Sequence, residues 1–185
     1  MKRFLLSAAL LFAGIFIASA QTYKPVKVDV GLGYAIPTNG GEGVNGGITF
    51  TVEPHYRLSD EIAVGLRFEG AALARVNDTG DEDSDAEVSI LSSYSVTGDY
   101  YLGSSGFRPF VGAGMGFFRS ASITLDSESV NELNGTIPGE TNFGLFPRVG
   151  FETGHFRMSG EYNIVKDSGY LAFKIGFFLG GGRRN

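Results

Sequence analysis

The stretch Ile48–Arg57, ITFTVEPHYR, alternates without a break. Ile48, Phe50, Val52, Pro54 and Tyr56 share one face of an extended strand, and Thr49, Thr51, Glu53, His55 and Arg57 share the other, because successive side chains of a strand point to opposite sides. Seven more segments carry the same period of two. They are Val26–Ile36, Ile62–Gly70, Val88–Leu102, Phe107–Phe118, Asn142–Glu152, Phe156–Ile164 and Tyr170–Leu179. Helical i, i+3, i+4 spacing is scarce, so the pattern predicts an all-β fold of eight strands.

Each segment approaches or exceeds the roughly 9–11 residues that cross a bilayer as a tilted strand. The connections sort by length. Leu58–Glu61, Gly103–Gly106 and Thr153–His155 are tight, whereas Pro37–Gly46, Asn77–Glu87 and Leu125–Glu140 are long and polar, and Lys166–Gly169 is a shorter member of that set. Short turns at one end and long loops at the other are the habit of an up-and-down membrane barrel.

The polar faces decide which side is inside. They carry Lys27, Arg57, Arg67, Arg148, Arg157 and Lys174 against Asp29, Glu53, Glu69, Asp99, Glu152 and Glu161, and the apolar faces of the same segments carry no charge. A closed lumen needs such a balance, since an unpaired charge away from water is costly. Interleaved glycines, among 28 in the chain, leave volume for long side chains in a lumen only just wide enough to be filled. The expected fold is an eight-stranded antiparallel up-and-down transmembrane β-barrel, apolar outside and plugged by charge. The competing soluble, lipocalin-like barrel would crowd five or six large apolar residues per strand into that lumen. Pro147 lies inside the sixth segment and predicts a bulge at Phe146–Pro147, because a closed barrel has no edge strand to hold a missing donor.

The remaining features bound the class. Lys2 and Arg3, the apolar run Phe4–Ile17 and the small residues Ala18-Ser19-Ala20 predict a secretory signal peptide over residues 1–20, cleaved after Ala20, with a single barrel domain over 21–185. Cysteine is absent, which excludes disulfides, thiolate metal sites and a lipid anchor on cysteine. A net charge of −5 argues against a nucleic-acid partner.

The residues YYLGSSGFRPFVGAGMGFF, from Tyr100, carry a family likeness: an aromatic-ended strand, a Gly/Ser turn and an RPFVGAG run. In these, in the signal-peptide junction SAQ and in the closing strand YLAFKIGFFLG, the chain resembles the OmpA/OmpX-like outer-membrane β-barrel domain family. The resemblance implies a Gram-negative outer membrane, a periplasmic N-terminus, contact with outer-membrane lipid and lipopolysaccharide, and insertion by the outer-membrane assembly machinery. One departure is the ending GGRRN, where many members close on an aromatic residue.

Candidate sites follow from position. The two histidines, His55 and His155, lie beside tight turns, at the end opposite the long loops where a surface hydrolase or acyltransferase would work, so the expectation is no enzyme and no cofactor. The densest acidic run is Asp78, Asp81, Glu82, Asp83, Asp85 and Glu87. Its Asp-x-Asp-x-Asp start suits a calcium loop, but Ala86 stands where such a loop needs Gly and Ser92 where it needs a bidentate Glu, so a solvated outer loop with no specific metal site is expected. The expected protein is a monomer with a structural, adhesive or receptor role, any surface ligand being taken by the long loops. A narrow porin-like channel and, less favoured, a lipid-modifying enzyme are the alternatives.

Overall fold

The computed structural model describes residues 21–38, 44–76, 86–103, 105–125, 140–166 and 169–184. Eight strands follow in chain order: β1 (Val26–Pro37), β2 (Val44–Arg57), β3 (Ile62–Val76), β4 (Ala86–Tyr101), β5 (Phe107–Leu125), β6 (Glu140–Thr153), β7 (Phe156–Val165) and β8 (Tyr170–Gly180). Each pairs antiparallel with its neighbour, and β1 pairs with β8 to close a barrel.

The faces fall as the alternation predicts. Along β2, Ile48, Phe50 and Tyr56 are 66, 50 and 39% exposed, whereas Thr49, Thr51, Glu53, His55 and Arg57 are at most 6% exposed. The same sorting runs around the barrel, with Leu32, Leu66, Val96, Met115, Leu145 and Ile175 outward and the charged residues inside. A soluble barrel is thereby excluded, because it would invert both faces.

Aromatic rings gather at both ends of the outer apolar surface. Phe107, Phe151, Phe156 and Phe177 form a contiguous chain of ring contacts near the tight turns. Phe117 meets Phe143, and Phe68 meets Tyr94, toward the loops. Ten residues of β5 separate Phe107 from Phe117, which at strand rise and a 40° tilt is about 25 Å, the height of an outer-membrane apolar band.

The tight turns sit where expected, but the strands reach further into the long connections. Glu87 lies within β4, its backbone opposite Arg75, and Glu140 begins β6. Asp78, Asp81, Glu82, Asp83 and Asp85 lie outside the described residues. The extended β5 also carries Arg119 on its outward side, exposed two residues beyond Phe117. The outward face is therefore free of charge only within the apolar band.

No bulge forms at Pro147. The β5–β6 register runs unbroken through Gly114↔Phe146 and Ala113↔Pro147. On the other side, Leu145↔Ile164 and Arg148↔Glu161 keep one register across the two unpaired rungs between them. A missing donor can thus be absorbed by local loss of rungs, with no residue inserted. Pro54 behaves alike toward β3, between Val52↔Phe68 and His55↔Gly65. The register shift in the β2–β3 ladder falls instead between Val44 and Gly47.

Candidate functional site: the filled lumen and its mouth

All twelve charged residues predicted for the lumen are buried, none more than 7% exposed. They form three connected layers along the barrel axis.

Nearest the tight turns, Glu152 is the hub. Lys27 pairs with it, Arg157 Nη1 donates to Oε1 at 2.6 Å, Arg57 Nη2 to Oε2 at 3.3 Å, and the Tyr101 hydroxyl to Oε1 at 2.7 Å. Lys27 Nζ also lies 3.2 Å from Asp29. Arg157 bridges upward, donating to Asp99 Oδ2 at 2.8 Å.

Arg148 organises the middle layer. Its Nη1 and Nη2 donate to the two oxygens of Glu53 at 2.9 and 2.8 Å, and its Nε to Asp99 Oδ1 at 2.7 Å. Such a bidentate fork is the strongest form of Arg–carboxylate contact. His55 lies between two carboxylates, Nε2 2.7 Å from Glu53 and Nδ1 3.3 Å from Asp29, without hydrogen-bond alignment to either. Thr97 Oγ1 donates to Glu53.

The third layer faces the loops. Arg67 Nη1 donates to Glu161 Oε1 at 2.6 Å and Nη2 to Asn163 at 3.3 Å, with Glu69 3.6 Å away. Lys174 pairs with both Glu69 and Glu161, and the Tyr170 hydroxyl donates to Glu69. Above it, Phe118, Phe146, Val165, Tyr170, Ala35 and Ala172 form an apolar layer, with the Arg67 guanidinium 3.6 Å from the Phe146 ring centroid. A central cavity among these layers has a volume of about 30 Å³, room for a water or two.

Strand register does not decide the partners. Glu53 and Arg67 lie opposite each other in register, yet Glu53 turns to Arg148 and Arg67 to Glu161. The lumen glycines make room for rings as well as for long charged chains. A side chain on Gly114 would strike the Phe146 ring, and one on Gly144 would strike Phe118. Arg108 and Tyr101 belong to the buried set but were not among the expected lumen charges. Tyr101 shares strand parity with Asp99, and Arg108 with buried Phe110, while His55 is buried on the polar face of β2 where the alternation puts it. His155 stays in the exposed β6–β7 turn, its Nδ1 2.9 Å from the Phe178 carbonyl.

The tight-turn mouth is closed by a strap with no alternating pattern. Gln21–Lys24 crosses it. Gln21 Nε2 donates to the carbonyls of Arg57 and Leu58, Tyr23 forms a bridge with Arg183, and Lys24 N and Arg184 N bond across to Gly182 and Thr22. The N–H groups of Thr22 and Tyr23 donate to the Asp60 carboxylate at 3.0 and 3.2 Å. Partial burial works against that carboxylate's charge, but those two N–H groups and nearby Arg108 outweigh it, holding Asp60 below the usual carboxylate range. Tyr23, only 6% exposed, lies under the guanidinium groups of Arg57 and Arg108.

An eight-stranded closed barrel, apolar to the outside, ringed by aromatics and filled by ion pairs, defines a transmembrane β-barrel. The family comparison agrees: the model of the outer membrane protein β-barrel domain matches residues 7–178, and the chain belongs to that family. Its place is therefore the outer membrane. Among solved structures, the chain is similar to the outer-membrane protein OprG from Pseudomonas aeruginosa (14% identity over 87% of this chain and 99% of that one, TM-score 0.52). It is also similar to Ail, the attachment invasion locus protein of Yersinia pestis, in complex with the heparin analogue sucrose octasulfate (12% identity, 84% and 99%, TM-score 0.50). The outer-membrane enzyme PagL is a more distant likeness (9% identity, 82% and 99%, TM-score 0.41). A comparison with curated protein sequences returns no significant match.

Proposed function

We propose that this protein is a closed structural barrel that anchors its long loops at the cell surface for interaction, rather than a channel or an enzyme. The observation that carries this reading is the filled lumen, in which three ionic layers and an aromatic layer occupy the interior among the described residues, around a central cavity of about 30 Å³. A barrel of eight strands has no width to spare beyond that filling. No His–carboxylate pair stands at the loop end among the described residues. His55 is locked in the lumen and His155 lies in a tight turn.

The reading includes contact with outer-membrane lipid and lipopolysaccharide, insertion by the assembly machinery as a monomer, and removal of residues 1–20 after Ala20. The acidic run Asp78–Glu87 makes a polyanion such as a sulfated sugar a poor surface ligand here. Purified protein in a planar bilayer should show no steady conductance, and the membrane-inserted protein should have the mass of a chain starting at Gln21. A stable conductance at neutral pH would replace the plug by the narrow-channel reading.

A further inference from the structure

We propose that the cleft at the tight-turn mouth binds a small oxyanion, a phosphate or carboxylate group presented from the periplasmic side and gripped by Arg57, Arg108 and Arg183. The cleft has a volume of about 250 Å³, and those three residues line it with Tyr23, Glu152 and His155. That is three guanidinium groups against one carboxylate, and Glu152 is already shared among Lys27, Arg157, Arg57 and the Tyr101 hydroxyl.

Arg108 is the charge left over. Counting it, the buried residues among those described include seven Lys and Arg side chains against six carboxylates. Its Nε donates to the Gly103 carbonyl at 3.1 Å and its Nη2 to the Asp60 carbonyl, and no carboxylate among the described residues is in ion-pair contact with it. Its Nη1 and the Nε of Arg57 are buried and without a hydrogen-bond partner, on side chains that are 3 and 1% exposed. Both guanidinium groups rest on the same two rings. Arg108 Cζ is 4.1 and 4.3 Å from the Tyr23 and Tyr101 centroids, and Arg57 Cζ is 4.9 and 5.6 Å from them.

Two like charges held over the same rings, each with an unused donor and with only the heavily shared Glu152 between them, favour a further negative group, and a planar guanidinium fork suits the geometry of phosphate and carboxylate. The acidic residues nearest the cleft do not fill that role. The Asp60 carboxylate is taken by the Thr22 and Tyr23 amides, and Glu61 by Ser59. Exposed Arg183 stands at the rim, where an entering anion meets it first, and Lys24 and Arg184 add positive potential around the same mouth.

The same chemistry is offered by a soluble phosphate and by an inner-leaflet phospholipid headgroup, and one experiment separates them. The whole barrel, refolded in a nonionic maltoside detergent, is titrated with inorganic phosphate against chloride at matched ionic strength, while the arginine Nε–Hε resonances are followed by NMR. The expected result is a saturable shift of Arg57 and Arg108 with none at Arg148 in the central layer. R108Q should weaken phosphate binding at least about tenfold, as loss of a charge-assisted pair implies. R183Q, at an exposed rim position that does not test folding, should weaken it several-fold. If phosphate is inert but phosphatidylglycerol mixed into the micelle moves the same two resonances, the site stands and its oxyanion comes from lipid. If neither probe moves Arg57 and Arg108, or Arg148 moves equally, the site is overturned.

Discussion

Arg148 turns each of its three guanidinium nitrogens to a carboxylate: two to Glu53 and one to Asp99. Removing one side of such a buried pair leaves the survivor uncompensated, at a cost of about 3–5 kcal/mol. Arg148→Ala should therefore destabilise the barrel more than Arg148→Ala combined with Glu53→Ala. Urea unfolding in lipid vesicles, run as a double-mutant cycle, measures the coupling. The same cycle on Glu53 and Arg67 should give a smaller coupling, although their backbones face each other. Strand alternation fixes which residues enter the lumen but not whom they meet. Inside so narrow a barrel a long side chain reaches across the axis as easily as to its neighbour. Arg67 is drawn to Glu161 and the Phe146 ring, which leaves Glu53 to Arg148.

At the scale of strands and turns, depth along β5 sets the tolerance for charge. Val111 lies outward within the apolar band, and Arg119 lies outward beyond the Phe117 ring. Val111→Arg should cost about 2–4 kcal/mol of folding free energy in vesicles, while Arg119→Ala should change it by no more than about 1 kcal/mol. Comparable penalties for the two would move the band away from the Phe107–Phe117 interval. The strand faces were legible because a period of two leaves no freedom once one side is buried. Arg108 was legible in principle, two residues before Phe110, but Pro109 and the run of glycines blur the phase there. The Gln21–Lys24 strap carries no periodic signal at all. It is held by backbone amides that any sequence would offer and by the Asp60 carboxylate. Because the folded Asp60 carboxyl titrates below its unfolded range, its hold is complete above about pH 4 and is lost as pH falls through the lower folded value. Protection of the Thr22 and Tyr23 amides against hydrogen exchange, taken relative to the intrinsic rate at each pH, should fall below that point. Asp60→Asn should show the faster exchange already at neutral pH, with little change in global unfolding.

For the whole molecule, the closures act in series. An ion crossing the lumen must pass the Tyr23 strap with its two arginines, the Glu152 hub, the Arg148 fork, the Arg67–Lys174 layer, and the Phe118–Phe146 layer. Truncating one ring opens one layer and leaves the others shut. Phe146→Ala should thus cost stability, about 3–5 kcal/mol for a buried ring with partial collapse around it, without raising conductance. Tyr23→Ala should loosen the mouth and likewise leave the barrel electrically silent. Conductance should appear only when truncations remove the aromatic layer and the ionic layers below it together, for example Phe146→Ala with Arg67→Ala and Arg148→Ala, provided that variant still folds in vesicles. The check is single-channel recording on each variant, beside its unfolding curve from the same preparation. Steady openings from Phe146→Ala alone would mean that water already threads the ion pairs, and the charged core would then be the lining of a pore gated by one ring.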